Sequence, residues 1–328
     1  MQGLVTLFGG SGFIGSHVVR TLAKQGRRIR VAVRRPWQAY KLRMLGDVGQ
    51  IEIVQANVRA PDSVERALEG AESVVYAVGV LFESGPQTFG SLQAEGPRIV
   101  TEAAGRHGVQ RVILVSALGA DPHSASKYAR TKAEGEAAAR AVAPGVTILR
   151  PSIVFGPEDK FFNRFAAMAQ LSPALPLIGG GHTRLQPVFV GDVARAVSAA
   201  LADPATAGQT YELGGPGVHT FKELMQFMLR VIGRNPALVD VPWPLASLIG
   251  VGGDLTAFLR GPLPMLPPPP LTTDQVAALR ADNVVSAGAL GMAALGLVPA
   301  ALEPILPTYL YPYRKGGQFA DQAAEVGA

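Results

Sequence analysis

Hydrophobic positions in the first half of the chain come in short, continuous runs rather than in alternation. Apolar runs occupy 4–8, 29–33, 51–55, 73–78, 111–115 and 146–149, and helical spacing covers 13–25, 62–69, 92–107 and 126–142 between them. Strands alternating with helices predict βαβ units and a parallel sheet. Helical crossovers cover both faces of such a sheet, so its strands read as unbroken apolar runs. Beyond Pro151 the pattern loosens. It predicts a helix near 161–170, a glycine turn at Gly179–Gly181, a strand near 187–190, a helix capped by Asp192, a strand over Thr210–Leu213 and a helix over 220–232. Residues 236–270 are rich in proline and end in Pro267–Pro270, which excludes helix interior and central strand. That stretch reads as a loop or lobe that packs on a neighbour. The expected architecture is α/β. A doubly wound parallel sheet occupies residues 1–150. A smaller mixed lobe, with a substrate-like cleft and a docking surface, occupies 151–328, and some of its strands return to the first domain.

Composition narrows the class. A chain of 328 residues suits about two domains. Hydrophobic residues make up 48%, enough for a sizeable core, while charged residues reach only 17%, against a typical figure of about 25%. Part of the surface is therefore expected to be covered. With no cysteine, disulfides, a thiol nucleophile and cysteine-held metals are excluded, and the five histidines are scattered without ligand spacing, so no metal is expected. The net charge of +5 is local: no Asp or Glu precedes Asp47, whereas nine Lys or Arg lie between Arg20 and Arg43. That reads as a local anion site, and no nucleic-acid partner is expected. The chain enters the run Leu4–Phe8 at once, without the pattern of a targeting peptide. Val284–Leu302 is uncharged and long enough by count to cross a bilayer. Gly288, Gly291, Gly296 and Pro299 interrupt it, so a buried or membrane-facing segment is expected there and no transmembrane span.

The most specific signal is Gly9-Gly10-Ser11-Gly12-Phe13-Ile14-Gly15, between a strand and a helix. A dinucleotide needs this order: a turn without Cβ, bare backbone for the pyrophosphate to approach, and a helix N-terminus whose free N–H groups and dipole face the phosphates. The sheet is therefore read as Rossmann-type. NAD-binding chains usually place an acidic residue about 20 residues on, against the ribose 2′-hydroxyl. Here the second strand ends in Arg34-Arg35. Guanidinium groups bind phosphate bidentately, so NADPH is favoured over NADH.

Tyr128 and Lys132 stand four residues apart in a helical pattern and so share one face. An ammonium beside a phenol favours phenolate and is expected to lower its pKa, and Ser116 ends the preceding strand. The three residues could relay a proton to a carbonyl while hydride moves, or hold nicotinamide-ribose hydroxyls without turnover. Arg150 reads as a cleft or packing residue, since Arg keeps its proton.

These motifs resemble the extended short-chain dehydrogenase/reductase family over about residues 3–235. Asn57-Val58, Leu149 through Pro157 and Val188 through Ala194 carry the resemblance further. A narrower likeness is to the atypical branch that supplies a nucleotide-binding accessory subunit of respiratory complex I. It rests on Val80 through Gly85, Ser116 through Asp121, Tyr128 through Glu136, Gly156 through Asp159 with Phe161 through Phe165, and, past the dehydrogenase core, Leu271 through Val276 and Asp282 through Val285. The resemblance implies a cofactor site lined by Gly9, Gly12, Phe13, Ile14, Gly15, Arg34, Arg35, Asn57, Val58, Ala77, Ser116, Tyr128, Lys132, Pro151 and Ile153. It implies tightly held NADPH without turnover in a subunit supporting the assembly and stability of complex I. That subunit would sit among other subunits of the peripheral arm near the membrane, in peripheral contact with lipid, on the cytoplasmic face of a bacterial inner membrane. Two other readings stay open: an active NADPH-dependent reductase or epimerase using Ser116, Tyr128 and Lys132, and an assembly factor that leaves the finished complex. Active members commonly carry Asn-x-x-Gly where this chain has Gln93-Ala94-Glu95-Gly96, which bears against turnover.

Overall fold

The computed structural model describes residues 3–263 and 265–317. The first part runs β1 (Leu4–Phe8), α1 (Phe13–Lys24), β2 (Arg28–Val33), β3 (Ile51–Gln55), α2 (Pro61–Leu68), β4 (Ser73–Tyr76), α3 (Glu95–Arg106), β5 (Arg111–Val115), α4 (Lys127–Val142) and β6 (Thr147–Pro151). It continues through β7 (Val154–Phe155), α5 (Phe162–Leu171), β8 (Ala174–Ile178), β9 (Arg184–Leu185), β10 (Val188–Phe189), α6 (Val190–Ala202), β11 (Thr210–Leu213), β12 (His219–Thr220) and α7 (Phe221–Ile232). β13 (Ala237–Val241), α8 (Trp243–Leu259), α9 (Thr273–Ala278) and α10 (Leu306–Leu310) follow.

Seven strands form one sheet in the order β11-β6-β5-β4-β1-β2-β3, and every pairing in it is parallel. The unbroken apolar runs have the expected cause. Along β5, Ile113 and Val115 face a core shared with α1 and α6, while Val112 and Leu114 face one shared with α2, α3 and α4. The sheet is doubly wound, and β11 and α6, from beyond Pro151, complete it. A third core, built from α5, α7, α10 and β8, fills the second lobe.

Three expectations are corrected. First, residues 237–259 are not a loop, whereas the described residues of 260–270 form no helix or strand. β13 pairs in parallel with β8, and α8 is a 17-residue helix. The prolines sit where each element tolerates them: Pro236 precedes β13, Pro242 caps α8, and Pro244 lies in its first turn, where an N–H would go unpaired anyway. Second, Asp192 is not a helix cap. α6 starts at Val190 with Phe189 at the N-cap. The buried Asp192 carboxylate instead accepts hydrogen bonds from Arg195 at 2.5 Å and from the Ala300 N–H at 2.6 Å. Third, the uncharged 284–302 segment is not buried core. Between Asn283 and Leu302 only Met292 is buried, and Val298 is 82% exposed. The segment lies along the free edge of β11, where the Glu212 N–H donates to Leu290 O at 2.8 Å. Among the described residues no helix is long and apolar enough to cross a membrane.

Helix α8 is packed inside out. Ala246, Gly250, Gly253 and Ala257 face inward, while Leu248 is 68%, Leu255 58% and Phe258 73% exposed. Small residues are inward because the chain leading into α9 presses directly on the helix. A Cβ on Gly253 would lie 1.7 Å from Leu271 O, and one on Gly250 would lie 2.8 Å from Thr273 N. The helix's one charge, Asp254, also points inward, accepting from the Thr273 hydroxyl at 2.5 Å.

In a helix interior alanine is favoured over glycine by about 1 kcal/mol. At position 253 the methyl would meet backbone, which no rotamer change can move, so overpacking wins. Gly253→Ala is expected to lower stability in a urea melt by about 1–3 kcal/mol. Gly252→Ala, where a Cβ meets nothing within 4 Å, is expected to be neutral or stabilising.

Candidate functional site

The carboxyl ends of β1, β4, β5 and β6 gather the expected residues. Gly9 leaves β1 with φ +85°, a backbone state that favours glycine. A Cβ there would lie 2.7 Å from Ala77 O, and one on Gly15 would lie 2.2 Å from Gly9 O. The loop is thus pressed between the end of β4 and the first turn of α1, and both glycines are obligatory. Gly12 is the N-cap of α1 and offers no side-chain cap, so the first-turn N–H groups of Phe13, Ile14 and Gly15 face outward toward an anion. Such an arrangement fits a pyrophosphate.

Arg34 and Arg35 follow β2. Neither forms an ion pair among the described residues, whose salt bridges lie elsewhere. A third guanidinium, not anticipated from the sequence, joins them. Arg59 stands close enough that it and Arg35 both push the Arg34 pKa down, after burial itself. The Arg59 Nε is buried without a hydrogen-bond partner. Asn57 shapes this turn: its Oδ1 accepts from the Arg59 N–H at 3.1 Å, and its own N–H donates to Ser63 Oγ at 2.9 Å. Val58 is buried in the sheet core. Three like charges with no carboxylate among them fit a dianionic phosphate better than a ribose hydroxyl. Arg59 was detectable only through its place two residues beyond Asn57.

Ser116, Tyr128 and Lys132 meet at the other end of the edge. The Ser116 N–H donates to Leu149 O at 2.7 Å, and the Leu118 N–H donates to Pro151 O at 2.9 Å. These bonds set Ser116 beside the end of β6 at Pro151, while Ile153 packs against the second-lobe core. Ser116 Oγ is buried and unpartnered among the described residues, a free donor and acceptor of the kind a cofactor or substrate oxygen would use. Lys132 Nζ donates to Val115 O at 3.2 Å and lies over the Tyr128 ring, 5.9 Å from its centre.

The expected activation of Tyr128 is reversed. Its phenol is pushed up to about 12 by burial first and then by the Asp274 carboxylate. Burial also lowers Lys132 to about 8, against the pull of Glu136. Lys132 still carries its charge below about pH 8, while the Tyr128 phenol keeps its proton at neutral pH. Gln93 lies in a π-helical turn ahead of α3. It is buried, donating to Val80 O at 2.8 Å and accepting from the Thr131 hydroxyl at 3.2 Å. Its amide is thus committed to structure. Arg150 is a packing residue, as its chemistry suggested: it donates to the Glu136 carboxylate at 2.6 and 2.9 Å and pairs with Glu212 at 3.6 Å.

Fold and site together define an NAD(P)-binding Rossmann protein of the extended short-chain dehydrogenase/reductase type. The chain belongs to the NAD dependent epimerase/dehydratase family, whose model matches residues 5–214. It is, more narrowly, a homologue of complex I subunits. It is 36% identical over 97% of its length to the mitochondrial NADH dehydrogenase [ubiquinone] 1 alpha subcomplex subunit 9 of Arabidopsis thaliana, 80% of which it covers. The Mus musculus counterpart is 32% identical over 92% of this chain and 78% of its own. A ceramide reductase of Caulobacter vibrioides is 32% identical over 74% of this chain and 75% of its own. Among solved structures, a Citrobacter sp. triphenylmethane reductase complexed with NADP(H) superposes with a TM-score of 0.70 over 93% of this chain and 99% of that one, at 20% identity. The fold is shared with that enzyme.

A lysine whose folded pKa lies below its unfolded value lowers stability wherever it is protonated. For Lys132 that cost is full below about pH 8 and fades as pH rises toward 10.5. Lys132→Met is therefore expected to be more stable than the parent at pH 6.5 in cofactor-free melts. The gain shrinks above pH 8 and vanishes near 10.5.

Proposed function

We propose that this chain is a NADPH-holding, non-catalytic accessory subunit that supports the assembly and stability of respiratory complex I. The observation that carries the reading is the extent of the likeness. The enzyme family's model ends at residue 214, whereas the likeness to the complex I subunits runs through 97% of the chain and so extends well into the second lobe. Residues 1–150 hold the cofactor, and 151–328 dock on other subunits of the peripheral arm near the membrane. The outward face of α8, with no charged side chain and with Leu248, Leu255 and Phe258 exposed, is the natural docking surface, since contiguous exposed apolar patches mark contact sites. The cofactor would lie with its pyrophosphate over Gly9–Gly15, its 2′-phosphate among Arg34, Arg35 and Arg59, and its nicotinamide end by Ser116, Tyr128 and Lys132. When bound it supplies hydride chemistry. This chain's residues bind and orient it. Binding to the folded state alone stabilises the subunit by mass action.

A second reading is an NADPH-dependent reductase. Ser116, Tyr128 and Lys132 are present and converge, and one relative is named a ceramide reductase. Tyr128→Phe separates the two: respiration unchanged supports the accessory role, and a lost turnover with folding intact supports the enzyme.

Native-gel separation of gently solubilised membranes from the source cell tests the main reading. The chain is expected to migrate with NADH:ubiquinone oxidoreductase activity. Leu255→Asp with Phe258→Asp is expected to release it from that band while leaving NADPH affinity unchanged. A small species in both cases overturns the assignment. For the cofactor, Arg59→Ala and Arg34→Ala are each expected to weaken NADPH binding by about ten-fold, the worth of one charge-assisted hydrogen bond. NADH binding, measured by calorimetry, is expected to stay within about two-fold. Equal losses for both nucleotides refute the 2′-phosphate site.

A further inference from the structure

The second lobe sends one segment back across the cofactor site. Residues 272–285 begin under α8 and are tied in turn to the loops after β4, β5 and β6. Gln275 Nε2 donates to Leu81 O at 3.2 Å. Asp274, in the first turn of α9, caps a helix 146 positions away: its carboxylate accepts from Ser126 Oγ at 3.0 Å and from the N–H groups of Lys127 at 2.5 Å and Tyr128 at 3.2 Å. A carboxylate on the first-turn N–H groups of α4 also meets the positive end of that helix. Asn283 makes the third tie, donating from Nδ2 to Leu118 O at 3.2 Å and accepting from Ser152 Oγ at 2.6 Å.

These ties bracket the place where Ser116 Oγ stands buried and unpartnered. None of them is local: each joins the second lobe to the carboxyl edge of the sheet. We propose that residues 272–285 form a strap over the nicotinamide end of the cofactor site, and that Asp274 and Asn283 retain the cofactor by holding that strap shut. The inference rests on the cofactor reading above. Neither residue need touch the nucleotide. They act as positioning residues, and exchange of the cofactor waits on the opening of the strap.

A gate and a contact leave different kinetic marks. Weakening a gate speeds entry and exit together, whereas removing a contact speeds exit alone. NADPH fluorescence in stopped flow, with the full-length chain and an NADP⁺ chase, reads both rates. Asp274→Asn and Asn283→Ala are each expected to raise association and dissociation by about ten-fold while Kd stays within about three-fold, as for a lid whose opening limits exchange. Unchanged rates overturn the strap, and so does a rise in dissociation alone. If the parent chain binds no NADPH, the cofactor reading falls and takes the strap with it. Binding with unchanged rates sinks the strap only. Should either variant fold poorly, hydrogen exchange on the parent decides. Amides of 273–285 are expected to open, with NADPH bound, at the rate the cofactor leaves. Opening about a hundred-fold more often than release overturns the proposal.

Discussion

Parallel pairing puts the carboxyl ends of β1, β4, β5 and β6 along one edge of the sheet, and all the chemistry of this chain hangs from that edge. The arrangement follows from the right-handed crossovers that join parallel strands. It has a steric condition as well. β1 must turn sharply into α1 while touching the end of β4, so Gly9 and Gly15 are held within van der Waals distance of their neighbours' backbones. With any side chain at Gly15 the helix would stand off from the loop, and the first-turn N–H groups would no longer converge. The same edge then fixes Ser116 at the end of β5 and brings α4, with Tyr128 and Lys132, across from Gly79.

That edge carries an electrostatic load. A lysine is buried against a carbonyl and a half-buried tyrosine lies near a carboxylate. Burial pushes both groups toward their neutral forms, which for Tyr128 makes the phenolate harder to form. Holding a ribose tolerates this, because hydrogen bonding to ribose hydroxyls does not depend on an easily ionised phenol. Sacrificed stability in a binding edge is common where the bound state restores it.

The sheet was legible in the sequence because a short, continuous apolar run bounded by turn residues suits a strand covered on both faces and little else: β1, β3 and β5 begin and end where their runs do. Glycine loop, Arg34-Arg35 and Ser116 were legible because each has a local pattern. Arg59 was not, because its role depends on where the turn after β3 points it. Helix α8 was missed for a different reason. Its prolines, read as breakers, are terminators, and its apolar residues are spaced for a helix whose wide face points away from its own core. Periodicity assigns a large apolar face to the interior, so an inside-out helix reads as no helix at all. The reversal at Tyr128 could not be foreseen either, since Asp274 is remote in sequence and adjacent only in the fold.

The two features least visible in the sequence share one contact. Gly250 and Gly253 let Leu271 through Thr273 lie against α8, and the next residue, Asp274 of α9, caps α4. A partner seated on the outer face of α8 would therefore press on the root of the strap. If docking favours the closed strap, linkage requires the converse: a retained cofactor must favour docking by the same factor. Such coupling needs no conformational signal through the sheet. It needs only that one short backbone contact, too tight for any side chain, be shared by the proposed docking face and the proposed strap.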